Sequence, residues 1–512
     1  MHLKSRKGEI AFYTAVALFS GIYFSILQWP SSFADPDSFY HARIIQQISE
    51  HGLLYAFPWL QATTLAEKFT DHHLLYHLFL VPFTTVLDPA TAVKAGQVVL
   101  LVILSLVLVS ILRRWKLSYS WAALFILYTI SPFVVRINLV KATALAMIIL
   151  LGIFILLLER KYGLVALLTV AYTWAHGGFI LAWLVAMMIW LADIVTQSIK
   201  RKRIYFEDPR GVIMVTLGII AGIIINPYFP QNLFFFWEQV VQIGFINYQE
   251  VIEVGGEWYP FALDQLTGLL SILLIAVLLA CMIFVWQRKK YFTDIKAVSL
   301  LFIAIMFFFA TLRSRRNVEY LVPFLWLWTC YLVLPYLESG AWKVHLKKLK
   351  QQLGKVFTVL AVYLLIVIPL ASIKNVFEAQ EDLSEGIDLS TYQAAGEYMK
   401  ENIPVNTNIF HTQWDEFPML YYQNSNNYYL VGLDATFMYL DDADKYRRWR
   451  EISEGNVKEH LSTIINEEFN SSYVFIGRST KSSQLLDAYL FRDPEVILEY
   501  EDEYTRIYNL GT

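Results

Sequence analysis

Hydrophobic runs of bilayer-spanning length recur along this chain, and they constrain its fold more than any motif does. A helix needs about 20 apolar residues to cross a hydrocarbon core of about 30 Å. Runs of that order fall near residues 9–28, 95–112, 118–134, 140–158, 162–175, 178–197, 211–228, 264–286, 295–312, 318–336 and 355–373. With 56% of its 512 residues hydrophobic and only 17% charged, the chain is too apolar for a soluble protein. Only helices and closed barrels satisfy every backbone polar group in lipid, so the sequence predicts an α-helical polytopic membrane protein of about eleven spans.

Positive charge lies in short clusters between the runs rather than on one face, which argues against a nucleic-acid partner and makes the clusters topology signals. Lys4, Arg6 and Lys7 precede the first run, so the N-terminus is expected in the cytoplasm, and an odd number of spans then exports the C-terminus. Ser31-Ser32-Phe33-Ala34 offers small residues for signal cleavage, but the apolar core before it is longer than a signal peptide usually carries, and an uncleaved anchor is expected. Cys281 and Cys330 both fall inside hydrophobic runs, leaving neither a disulfide framework nor a cysteine metal site.

Two regions interrupt this pattern. Residues 29–73 form a long loop on the exported side, followed at 74–87 by an apolar stretch suited to a re-entrant or interfacial helix. From about residue 375 the runs shorten and acidic, Asn and Ser residues increase. A helical pattern at 391–402 then alternates with strand-like runs at 428–433 and 471–477. The chain thus divides into a membrane domain, 1–374, and an exported soluble α/β domain, 375–512.

The candidate chemistry begins at Phe33-Ala34-Asp35-Pro36-Asp37-Ser38-Phe39-Tyr40-His41-Ala42-Arg43. Charge beside a bilayer is costly and tends to mark function. Asp35 and Asp37 can bind a divalent cation such as Mn2+ or Mg2+, or divide the work of base and orienter. The competing reading is that they cap the following helix. His41 and Arg43 extend the polar patch one turn on. Asp71-His72-His73, with His77 a turn after His73, forms a second cluster; the glutamate of a zinc-protease motif is absent beside it, and substrate contact competes with a structural interfacial role.

Arg313, Arg315 and Arg316 fall on the exported side, against the positive-inside trend, and call for an anionic partner. A guanidinium fork suits a lipid phosphate; pairing with Glu319 or with a loop carboxylate such as Glu253 is the alternative. Glu253 sits in the glycine-bearing loop Asn247 to Trp258, and Arg136 and Lys141 flank another exported turn, where contact with an anionic substrate and contact with anionic headgroups account for them equally well.

An acidic first exported loop, many spans, a glutamate-bearing loop, an exported arginine cluster and a C-terminal soluble domain together resemble the GT-C membrane glycosyltransferases, and more closely the catalytic subunit of oligosaccharyltransferases. The segment Thr391 to Pro404, then Asn408-Ile409-Phe410 and Trp414-Asp415, is similar to the helix, strand and Trp-Trp-Asp motif of that family's exported domain, with Gln413-Trp414 in place of the tryptophan pair. The resemblance implies a catalytic membrane domain over 1–374, a polyprenyl-phosphate or diphosphate sugar donor, Asp35 or Asp37 at the reacting centre, and Trp414 and Asp415 in substrate binding. The acceptor would be a protein, glycan or lipid, and the location the plasma (inner) membrane among membrane lipids. Transfer from a lipid phosphate needs cations at the leaving group and a carboxylate near the acceptor, and the chain supplies both. A lipid-linked sugar flippase would instead line a path through the bundle with polar groups, which the runs carry sparsely. A glycan- or peptide-binding scaffold would not need so many spans.

Overall fold

The computed structural model describes residues 6–262, 271–478 and 480–511. Each predicted run falls on a helix, apart from residues 264–270 of the eighth, which lie outside the described residues, as does Lys4. By length and composition six helices can cross a membrane: Arg6–Leu27, Pro89–Arg114, Ile180–Arg201, Ile295–Arg313, Arg315–Glu338 and Lys355–Ser384. The broken pair Ser120–Leu127 and Ser131–Asn138, bent by 80° just before Pro132, makes a seventh if counted as one span. Leu74–Thr85, Thr143–Leu158, Tyr162–Ala175 and Arg210–Ile224 are apolar but shorter, and at 1.5 Å per residue each falls short of about 30 Å; Ile272–Trp286 is the described part of a further apolar helix. The expected eleven spans are therefore not supported by length; the structure supports six or seven long spans and a set of short apolar helices.

The described chain forms two compact units that interleave in sequence. One comprises Met1–Pro30, Gln97–Gly222 and Glu257–Glu385; the other comprises Ser31–Gly96, Ile223–Gly256 and Gly386–Thr512.

The first unit is helical. Its apolar helices meet through interlocked aromatics such as Phe154 against Phe324 (ring centroids 5.5 Å apart) and Phe307 against Phe324 (5.7 Å). Gly218 and Gly222 bring helix Arg210–Ile224 against Tyr162–Ala175; a Cβ on either would stand 2.7–2.8 Å from Thr169 or Thr173, the small-residue packing that lets membrane helices approach closely. Some polar groups in the bundle are satisfied locally: Tyr128 bonds Ser20 and Ser105, and Gln97 and Gln28 donate to the Ile137 and Asn138 carbonyls left open where the bent helix ends.

The second unit is α/β, as the composition change predicts. Its sheet is built from β3 (Asn408–His411), β4 (Tyr428–Tyr429), β5 (Tyr473–Gly477), β6 (Ile497–Glu501) and β7 (Thr505–Asn509), in the order β4-β3-β5-β7-β6. The β4, β3 and β5 strands run parallel, while β7 is antiparallel to β5 and β6. Residues 31–73 of the predicted exported loop are part of this unit. Its β1 (Ser32–Phe33) pairs antiparallel with β2 (Ile387–Asp388), and residues 59–62 run along β4, with Tyr429 N donating to the Trp59 carbonyl and Gln61 N to the Tyr429 carbonyl. This addition covers what would otherwise be an open sheet edge, and it fixes where the acidic segment begins.

Candidate functional site

In the second unit, Phe33 leaves β1 buried against Phe39 (4.9 Å), and the chain turns through Asp35-Pro36 into helix Asp37–His51. Pro36 holds the N-cap without a side-chain cap bond, so the predicted capping role is not played from that position; Asp37 falls in the first turn, where the helix dipole favours a carboxylate. His41 lies one turn on, on the same face.

His41 leads into a buried hydrogen-bonded chain. Its Nδ1 lies 2.8 Å from Nε2 of His77, and Nδ1 of His77 lies 2.7 Å from Asp71 Oδ2. All three side chains are at most 3% exposed. An ionised Asp71 can only accept, so His77 Nδ1 donates to it, and His77 Nε2 is left to accept from His41. Asp71 also accepts from the His73 backbone (3.0 Å), which explains why Asp71-His72-His73 opens a helix. Burial raises the Tyr40 phenol well above its usual range, and the Asp71 and Asp37 carboxylates are among the groups that push it further, so both carboxylates act on one phenol. His72 lies tilted against His73 (3.8 Å) and stacks on Phe235 (4.9 Å). Arg43 is held by Gln46 (2.7 Å) and Ser425. It ties its helix to the 424–427 turn.

A second group gathers after β3. Trp414, Asp415 and Glu416 form a 3₁₀ turn closed by a Gln413/Glu416 capping box. Asp415 is exposed, yet desolvation, and then the Glu253 and Asp37 carboxylates, raise its carboxyl above the usual range. Glu253, Asp37 and Asp415, expected separately from the sequence, thus lie within electrostatic reach of one another. The Glu253 loop is anchored: Ile252 and Val254 are buried, and Arg450 donates to the Val251 carbonyl (3.3 Å).

Glu416 was not singled out by sequence, although the Gln-x-x-Glu spacing is the signal of a capping box. Its carboxylate accepts from Gln413 N (3.1 Å) and lies under Gly477, where a Cβ would collide with Glu416 Oε1 and the Tyr392 hydroxyl. Burial, and then Asp415, push Glu416 up to about 8. Because its folded pKa lies above the ordinary 4.5, the folded state keeps a proton that the unfolded chain gives up as pH rises from about 4.5 to about 8, and stability falls across that window. Glu416→Gln, which stays neutral, should therefore match wild type at pH 5 and exceed it at pH 9 by more than about 1 kcal/mol. Thermal denaturation of the detergent-purified protein at both pH values checks this; equal melting at pH 9 would mean that Glu416 is ionised in the fold.

In the first unit, Arg316, one of the arginines predicted to grip phosphate, meets a carboxylate, in a cluster that also includes Arg136 and Lys141. Arg136 donates to Glu257 (2.6 Å) and, through two nitrogens, to Glu319 (3.0 and 3.2 Å). Arg316 lies 3.6 Å and Lys141 3.8 Å from Glu257. Burial alone would raise the Glu257 carboxyl, but Lys141, Arg136 and Arg316 hold it well below the usual range. Arg316 also rests 4.5 Å over the Trp258 ring. Arg315 is used differently, donating from its backbone (2.9 Å) and Nε (3.3 Å) to the Tyr259 carbonyl, while Arg313 is exposed at the end of its helix. The loop partner of Arg316 is thus Glu257 and not Glu253. Among the described residues, Glu257 is thus met by Arg136, Lys141 and Arg316, and Glu319 by Arg136.

Among the described residues no three His, Cys, Asp or Glu side chains gather closely enough to hold a metal ion by themselves. Asp35 and Asp37 offer two hard oxygen donors, the complement Mn2+ or Mg2+ takes when phosphates and waters fill its other positions.

No protein-family model and no curated protein matches this sequence. The fold, however, is similar to that of solved structures. For the Archaeoglobus fulgidus oligosaccharyltransferase AglB in complex with an inhibitory peptide and a dolichol-phosphate, the TM-score is 0.58 at 12% identity, over 94% of this chain and 71% of that one. The A. fulgidus oligosaccharyltransferase with Zn and sulfate gives 0.52 at 12% identity, over 90% and 68%. The arabinofuranosyltransferase AftD from Mycobacteria gives 0.59 at 12% identity, over 98% of this chain but only 40% of that one. The chain therefore has the membrane glycosyltransferase fold that the sequence resemblance implies.

Proposed function

We propose that this chain is an integral-membrane glycosyltransferase that moves a sugar or oligosaccharide from a polyprenyl-phosphate or diphosphate donor to an acceptor on the exported face of the membrane. What supports the reading is that the fold carries both kinds of group: coupled carboxylates, Asp37, Glu253 and Asp415, in one unit, and Arg136, Lys141 and Arg316 gathered on one carboxylate in the other. Glycosyl transfer needs both. The bond from the anomeric carbon to the donor phosphate breaks with its electron pair moving to phosphate oxygen, while an acceptor O–H or N–H forms the new bond and loses its proton.

In this reading Asp37 takes the acceptor proton, and the chain His41–His77–Asp71 fixes the polarity beside it. Arg316, with Arg136 and Lys141, meets the charge developing on phosphate; Arg315 and Arg313 stand at the same helix junction. Asp415, Trp414 and Glu253 contact the acceptor, and His72, His73 and Arg43 shape the surrounding wall. A bound Mn2+ or Mg2+, held by Asp35 and Asp37, would supply Lewis-acid stabilisation of the phosphate. The dolichol-phosphate and inhibitory peptide bound to the archaeal neighbour support a lipid-linked donor and admit a peptide acceptor, with protein, glycan and lipid acceptors as the wider class. The membrane domain is assigned to 1–374 and the exported domain to 375–512, in the plasma (inner) membrane with the N-terminus cytoplasmic.

Mass spectrometry of lipid-linked sugars in cells lacking the gene tests the reading. The expected result is accumulation of one lipid-linked sugar together with loss of a glycosylated product. Unchanged donor and product pools would overturn it, and donor confined to the cytoplasmic leaflet would replace it with a flippase.

A further inference from the structure

Glu257 and Glu319 share the guanidinium of Arg136, but the chain holds them in different ways. Glu319 belongs to helix Val318–Glu338, is 1% exposed, and has one buried oxygen without a hydrogen-bond partner. Nothing at that position lets it withdraw. Glu257 is carried on the three-residue 3₁₀ turn Gly256–Trp258, directly after Gly255-Gly256, and a Cβ at Gly256 would meet no atom within 4 Å. Backbone freedom is therefore built in immediately before the carboxylate. That carboxylate is the common counter-ion of all three cations: Arg136 at 2.6 Å, Arg316 at 3.6 Å and Lys141 at 3.8 Å.

A planar two-oxygen anion held by two guanidinium groups and an ammonium occupies the kind of setting a phosphate occupies. We propose that Glu257 is a resident stand-in for the donor's phosphate, occupying the cation cluster between turnovers and yielding it when a phosphate ester enters. The proposal rests on the glycosyltransferase reading above and deepens it by assigning the phosphate to Arg136, Lys141 and Arg316 together. Arg136 keeps its bonds to Glu319 throughout, so it stays positioned while its third nitrogen changes partner. A polyprenyl-phosphate sugar is a diester that matches the single charge of the carboxylate it displaces, and a diphosphate donor exceeds it; as the sugar leaves, the phosphate gains a further charge, which the same cations meet.

The test is isothermal titration of the full-length protein in detergent with decaprenyl phosphate in mixed micelles, and separately with inorganic pyrophosphate. Glu257→Gln keeps the shape of the side chain and removes the competing charge, and it should bind decaprenyl phosphate at least tenfold more tightly than wild type. Glu257→Asp keeps the charge on a shorter arm and should show a gain of about threefold, which provides a readout if the glutamine variant does not fold. Unchanged or weaker binding by the folded variants, with wild-type binding present, overturns the stand-in while leaving the glycosyltransferase reading in place. A gain for pyrophosphate alone overturns the assignment to a lipid headgroup. Absence of binding by wild type and variants alike overturns both.

Discussion

Asp37→Asn should abolish sugar transfer, by at least about 100-fold in turnover, while the protein still folds and still binds donor. The amide preserves the shape of the side chain and its place in the first turn of helix Asp37–His51, but it neither takes a proton nor carries charge. Asp37 is one of the carboxylates that raise Asp415, so neutralising it also relieves that repulsion. The same substitution should bring the Asp415 carboxyl back toward its ordinary range. Asp35→Asn should be comparably harmful if both carboxylates hold a cation, and milder if Asp37 acts alone. Turnover and donor affinity measured side by side on the purified variants separate these cases. Wild-type turnover by a folded Asp37→Asn would remove the carboxylate from the chemistry, leaving a residue that serves the helix dipole.

How much of this was legible in the sequence depends on the range over which each contact acts. Apolar runs report directly on helices, so each predicted run found one. What they do not report is where a run is broken: Pro132 following Ser131 splits the third run at 80°, and several other runs give helices of only 14 to 16 residues. Asp35-x-Asp37 stood out because charge beside an apolar run is anomalous in itself. The relay His41–His77–Asp71 was half visible, since His77 lies a turn after His73, but its link to His41 joins two helices and has no local spacing to announce it.

Glu257 was hidden for a different reason. Glu250, Glu253 and Glu257 share one loop, and nothing in composition distinguishes the carboxylate that meets Arg136 from the one that lies near Asp415 and Arg450. The partner is chosen by fold across 121 positions of sequence. The sheet shows the same limit. Strand-like runs were readable, whereas the addition of residues 59–62 beside β4 pairs segments more than 360 residues apart. A loop that looks like an insertion between membrane helices is thereby part of the α/β unit.

The ion cluster in the first unit predicts the largest effect on stability. Arg136→Met keeps an apolar stem of similar length and removes the guanidinium that donates hydrogen bonds to both Glu319 and Glu257. Glu319 is then left at 1% exposure without its paired donor, and an uncompensated buried charge of this kind typically costs about 3–5 kcal/mol. Glu257 should suffer less, because Lys141 and Arg316 still face it. The loss should consequently be traced to Glu319, and the double variant Arg136→Met, Glu319→Gln should recover most of it, since neutralising the orphaned carboxylate removes the penalty without restoring the pair. A double-mutant cycle on thermal or denaturant unfolding in detergent measures this coupling. If Arg136→Met alone unfolds within about 0.5 kcal/mol of wild type, the cluster contributes nothing to holding the helices together, and its cations are retained for the anion they bind.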